Sequence, residues 1–137
     1  MIDISASVKS GMLAALDASA AVTALVPVAR IYPGQVQSEP VYPFIRYGQP
    51  VITPYEDNCG YGTAVSVPIH VFAATRATPS PVNGESLCAT ICAAVVNALS
   101  SAQAFYAIDW TDTQIIPDAS EADVWHGIVS FSVIAKA

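Results

Sequence analysis

Asp123-Val-Trp-His-Gly-Ile-Val-Ser-Phe-Ser-Val-Ile-Ala135 repeats with a period of two. Trp125, Gly127, Val129, Phe131, Val133 and Ala135 fall on one face, and His126, Ile128, Ser130, Ser132 and Ile134 on the other. Successive strand residues point to opposite sides, so the run reads as a strand with one face on a core. The same alternation governs Thr63-Ala-Val-Ser-Val-Pro-Ile-His-Val-Phe72, with Val65, Val67, Ile69 and Val71 against Ala64, Ser66, His70 and Phe72. Working outward, Tyr42-Pro-Phe-Ile-Arg-Tyr47 sets Val41, Ile45 and Tyr47 against Tyr42, Phe44 and Arg46. Another strand runs near Phe105 to Ile116, where Tyr106, Ile108 and Trp110 alternate with Ala107 and Asp109. Pro43, Pro50 and Pro68 cannot donate ladder hydrogen bonds, which predicts strand edges or bulges near them.

Two segments change period. Ile4, Val8, Met12 and Leu16 stand four apart, followed by Val22 and Leu25, which predicts an amphipathic helix capped by Asp3 or Ser5 and stopped by Pro27. Leu87, Ile91, Val95 and Leu99 repeat the spacing in a second helix that starts near Pro81 or Asn83. Turn residues separate the elements at Ile31-Tyr-Pro-Gly-Gln35, Ser38-Glu-Pro40, Tyr55 to Gly62 and Pro117 to Asp123. The chain thus reads α-β-β-α-β-β: an α+β fold, mainly an antiparallel sheet with two helices packed on one face, and one domain over residues 1–137.

Only 12% of the residues are charged and 53% are hydrophobic, against about 25% charged in an ordinary soluble domain. Too few charges are present to cover a whole surface, which predicts that partners bury part of it. The net charge is −6, and Lys9, Arg30, Arg46, Arg76 and Lys136 are scattered, so phosphate neutralisation on nucleic acid is not expected. Asp109, Asp112, Asp118, Glu121 and Asp123 instead gather where no Lys or Arg intervenes between Arg76 and Lys136. That segment carries a negative field.

Chemistry is hard to find. Cys59, Cys88 and Cys92 lack secretory spacing and suggest a reducing compartment, with Cys88 and Cys92 as small buried residues on one helix face. The only histidines are His70 and His126, too few to complete a zinc site with that pair. His70 reads as a surface or hydrogen-bonded structural residue. Gly60-Tyr-Gly62 lacks the lysine and following helix of a phosphate loop. No nucleophile has a base set beside it by motif, and no cofactor signature occurs, so neither enzyme activity nor a cofactor is expected. Asp17 interrupts the apolar run Gly11 to Leu16, which is far short of the roughly 20 residues of a membrane span, so no membrane partner is expected.

The order of these pieces carries a resemblance. A helix, Arg30-Ile-Tyr-Pro33, Tyr42-Pro-Phe-Ile45, an acidic hairpin, Ile69-His-Val-Phe72, an alanine-rich helix and a closing Trp125-His-Gly-Ile-Val-Ser-Phe131 strand resemble the tail-completion or tail-terminator proteins of long-tailed bacteriophages, which also occur in prophages and gene transfer agents. The likeness spans nearly the whole chain. It departs from the family pattern at Val26-Pro-Val-Ala29, where a glycine-containing turn is more common, and at Pro68.

The resemblance implies a non-enzymatic virion part that forms a ring of about six copies. Such a ring sits at the head–tail junction, stops growth of the tail tube, docks the head connector or stopper protein and lets DNA pass without specific binding. Assembly takes place in the bacterial host cytoplasm. Another morphogenesis part, such as a connector stopper or a tail-tube subunit, is the alternative, and a small ligand-binding domain or enzyme a more distant one. Within this picture Tyr55, Glu56, Asp57, Asn58 and Tyr61 are expected at a partner interface, as turn residues with tyrosine anchors. Asp109, Asp112 and Asp118 are expected to face a lumen, where carboxylates repel DNA phosphates.

Overall fold

A computed structural model describes residues 5–36, 39–57, 60–78, 83–102 and 107–136, with backbone alone at 55–57, 60–62, 135 and 136. The sheet is built around β4 (Gly60–Ala74) and β6 (Val124–Lys136), which pair antiparallel without interruption from Gly62↔Lys136 to Ala74↔Val124. β5 (Ala107–Pro117) flanks β6, while β2 (Phe44–Tyr47) and β3 (Val51–Asp57) flank β4, all antiparallel. The short β1 (Ile31–Tyr32) joins β2 in parallel and completes the order β1-β2-β4-β6-β5, with β3 off this path.

The α+β class, the dominant antiparallel pairing and the facial alternation agree with the sequence. Two strands were not anticipated, because β1 is too short to show a period and the last three residues of β3 fall in the Tyr55 to Gly62 stretch, whose composition suggests a turn. Ladder pairing overrides that composition: Tyr55 stands opposite Gly62, Glu56 opposite Tyr61 and Asp57 opposite Gly60. The prolines mark a break between β2 and β3. Tyr47 pairs with Ile69 and Val51 with Ser66, so Gly48, Gln49 and Pro50 bulge opposite Val67 and Pro68. The Gly48 N–H still donates to the Pro68 carbonyl at 2.9 Å. A Cβ at Gly48 would collide with that oxygen and lie 2.6 Å from Pro68 Cγ.

The helices cover one face of the sheet. α1 (Ser5–Ala18) buries Val8, Met12 and Leu16, and a short α2 (Ala20–Thr23), capped by Ser19, buries Val22. α3 (Gly84–Ser100) starts where the Asn83 side chain accepts from the Ser86 N–H at 2.8 Å, and it buries Cys88, Ile91, Cys92, Val95 and Leu99. These meet Val65, Val67, Ile69, Val71, Val129, Phe131 and Val133, each exposed by 1% or less. Gly127 lets α3 approach: a Cβ there would collide with Cys92 Sγ and come within 3.0 Å of Cys88 Sγ. No described helix is long and apolar enough to cross a membrane.

Candidate functional site

Among the described residues no helix covers the other face of the sheet. Alternation directs Phe44, Arg46, Ser66, His70, Phe72, His126, Ile128, Ser130 and Ser132 to it, and their pairing stacks them in rows across the strands. The row nearest the β5–β6 loop is aromatic. Tyr32 meets Phe44 edge-on at 5.9 Å, Phe44 stacks on Phe72 at 4.8 Å, and Phe72 stacks on His126 at 4.2 Å. Ile116, opposite His126, extends the row onto β5 and is 38% exposed.

One row further, His70 Nδ1 and His126 Nε2 share a hydrogen bond of 2.8 Å, one ring donating and the other accepting. Burial, then Arg46, then His126 lower His70 from its ordinary 6.5 to about 4. Burial also lowers His126, assisted by Arg46 and opposed by Asp118. Two protonated rings at this separation would repel, so the pair is neutral at pH 7 and serves as a structural clasp. This agrees with the structural reading of His70.

Beyond the histidines the face becomes polar and acidic. Asp109 pairs with Ser132 and Asp112 with Ser130, and both acids are exposed. Residues three apart in a regular strand point to opposite sides. Here a bulge between Trp110 and Asp112 inserts Thr111, whose hydroxyl donates to the Ser130 carbonyl at 3.1 Å, and both carboxylates emerge on the helix-free face. Asp118 lies apart, in the turn after β5. There it accepts from the Ser120 N–H at 3.0 Å and its hydroxyl at 2.9 Å, bonds that hold its carboxyl below the usual range.

The rest of the acidic segment is not a bare field. Arg76, just after β4, binds Glu121 at 2.9 Å and also Asp123, and its guanidinium lies 5.2 Å over the Tyr42 ring. Sequence distance conceals this neutralisation, since 45 and 47 residues separate Arg76 from its partners. Of the expected interface residues, Tyr55, Glu56 and Asp57 end β3 and Tyr61 is the second residue of β4, so the register brings them together at one hairpin end. Asn58 lies outside the described residues. The aromatic row escapes sequence reading because its members come from separate strands, and only register shows that Phe44, Phe72 and His126 adjoin.

A small α+β subunit with one aliphatic sheet face sealed by helices and the other left bare, half aromatic and half acidic, belongs to the class of assembly parts. The chain is a member of the tail completion protein gp17 family, whose model matches residues 10–136, and is a structural protein of the phage virion tail. The fold is also similar to that of a chain in a solved virion of a native gene transfer agent particle, with a TM-score of 0.79 and 17% identity over 100% of both chains. No curated protein matches the chain at a significant level.

Proposed function

We propose that the chain closes into a ring of about six copies at the head-proximal end of the tail tube, with the helix-free face turned toward the hole. The ring ends tube polymerisation, offers its outer end to the head connector or stopper protein, and does so without catalysing a reaction. The observation that carries this reading is the match to the tail completion family over residues 10–136. Two features support it. Val28, Val41, Val51 and Trp110 are each at least 50% exposed, apolar surface suited to cover by other chains. Asp109 and Asp112 share the helix-free face, where they repel a passing DNA backbone, with Asp118 adding charge at its rim.

Native mass measurement and negative-stain imaging, with and without tail-tube subunits, test the assembly. Closed rings that seat on tube ends and stop their growth are expected. Copies that extend into tubes would make the chain a tube subunit, and copies that stay single in both conditions would overturn the proposal. For the lumen, Asp109, Asp112 and Asp118 changed together to Asn should slow or stall genome ejection from assembled particles. Normal ejection would remove the acidic role.

A further inference from the structure

The two margins of the sheet differ in shape. On one, β5 is the outermost strand, and no described strand pairs with its outer edge. On the other, β2 and β3 both flank β4, and β1 stands one strand further out beside β2 alone. The outer edge of β3 is therefore a notch, one strand wide and 7 residues long, that ends at the Gly48 bulge. Open strand edges are templates for another strand. Both edges are also apolar: Val51, Ile52, Trp110 and Ile116, four of the six large exposed hydrophobics among the described residues, lie on β3 and β5.

We propose that β5 of one copy enters the β3 notch of a second copy, so that the sheet runs on from subunit to subunit. Strand direction fits this occupant. β3, β4, β6 and β5 are antiparallel in turn, so β3 and β5 run opposite ways. Two copies set side by side with their helix-free faces on the same side then meet as an antiparallel pair. Donor and acceptor are different edges, so the contact is head-to-tail and repeats until it closes. The inference rests on the ring reading and names its joint.

The prolines set the register. Pro54 and Pro117 have no N–H to give β4 and β6, so their nitrogens face outward, as in other edge strands. Bonding direction alternates along an antiparallel strand, which turns outward the N–H and C=O groups of Ile52 on β3 and of Thr113 and Ile115 on β5. Ile52 opposite Ile115 exchanges two hydrogen bonds, and the Thr113 N–H donates to the Pro54 carbonyl. The same register sets Val51 against Ile116 on the helix-free face and Ile52 against Ile115 on the helix side, so apolar meets apolar on both faces. The bulge at Thr111 ends the ladder before the acids of the two strands come opposite each other.

The geometry also closes. Within one copy Val51 is level with Asp109, through Ser66 and Ser132. The joint moves it to Ile116, a slide of about six ladder steps or about 20 Å, across a subunit whose four strands β3, β4, β6 and β5 span about 19 Å. The strands then tilt about 45° from the ring axis, the tilt of closed barrels.

Cysteine pairing tests the joint. Val51 and Ile116 form a pair without hydrogen bonds, where Cα atoms stand about 4.5 Å apart, within disulfide reach. Cys59 is replaced by serine, while Cys88 and Cys92 are buried. V51C and I116C chains mixed in equal amounts should then form a two-chain disulfide under mild oxidation, and neither should cross-link alone. The V51C/I116C chain should run on a non-reducing gel as a ladder that ends in a covalent ring. V51C mixed with D109C, which reports the unslid register, should give at least tenfold less product. Val51→Lys should keep the melting temperature and lower the yield of rings about tenfold or more.

Rings that form without the V51C–I116C disulfide, more product with D109C, or full ring yield from Val51→Lys would overturn the joint and leave the ring standing. Self-pairing of V51C or of I116C would replace the joint with a two-fold contact. A wild type that forms no ring, with no disulfide between the mixed variants, would sink both readings. A ladder that never closes would keep the joint and sink the ring.

Discussion

The two faces of the sheet come from the same strands and obey opposite rules. On the covered face Val67, Ile69, Val71, Val129 and Phe131 are sealed beneath α1 and α3. On the helix-free face their immediate neighbours Ser66, His70, Phe72, Ser130 and Ser132 stack, share hydrogen bonds or meet solvent. Packing dictates every residue of the first set, because a buried gap forfeits both contact and transfer free energy. The second set is released from that demand and can carry charge and shape for partners. Stability resides on the covered side, and the other side is free to carry the proposed contacts with partners.

Substitutions should therefore separate by face. Phe131→Ala, in the sealed layer, is expected to cost about 3–5 kcal/mol of folding stability in denaturant titration. Gly127→Val forces a side chain into the Cys88 and Cys92 thiols and should cost about 1–3 kcal/mol. Phe72→Ala removes the centre of the aromatic row but leaves the core intact, for a loss of about 1–2 kcal/mol. A Phe72→Ala loss equal to that of Phe131→Ala would show that the helix-free face is a second core.

The histidine clasp sharpens the contrast through pH. His70 titrates at about 4 when folded against an ordinary 6.5, so the unfolded chain binds more protons between those values. Stability is then full above about 6.5 and falls as the pH drops toward about 4. Both rings are only partly buried, which keeps the effect below that of Phe72→Ala. Thermal melts of His70→Gln should lose the part of the acid slope due to this residue, and an unchanged slope would contradict the clasp. Smallest of all, Asp109→Asn with Asp112→Asn should move stability by less than about 0.5 kcal/mol. A larger change would mean that these carboxylates hold the fold together.

Much of the covered face was legible because burial imposes periods of two and four that local sequence displays. Val65 through Val71, Gly127 through Val133, and Met12 with Leu16 all sit where alternation or helical spacing puts them. What eluded the sequence depends on register. Asp109 and Asp112 share a face only because Thr111 bulges, and Arg76 reaches Asp123 only because Thr75 N–H bonds the Asp123 carbonyl at 2.9 Å and brings the segments together. Pro50 and Pro68 announced an irregularity, but a single bulge between two halves of one long edge is visible only once Tyr47 and Val51 are paired. A cleft lined by Gly48, Gln49, Pro50 and Pro68 opens beside that same break.

Electron cryomicroscopy of the ring assembled on a tail tube is the most direct measurement of the central claim. The account predicts a hole lined by the face that bears Asp109 and Asp112, with α1 and α3 on the outside. A hole walled by those helices, or a single copy where a ring is expected, would contradict it.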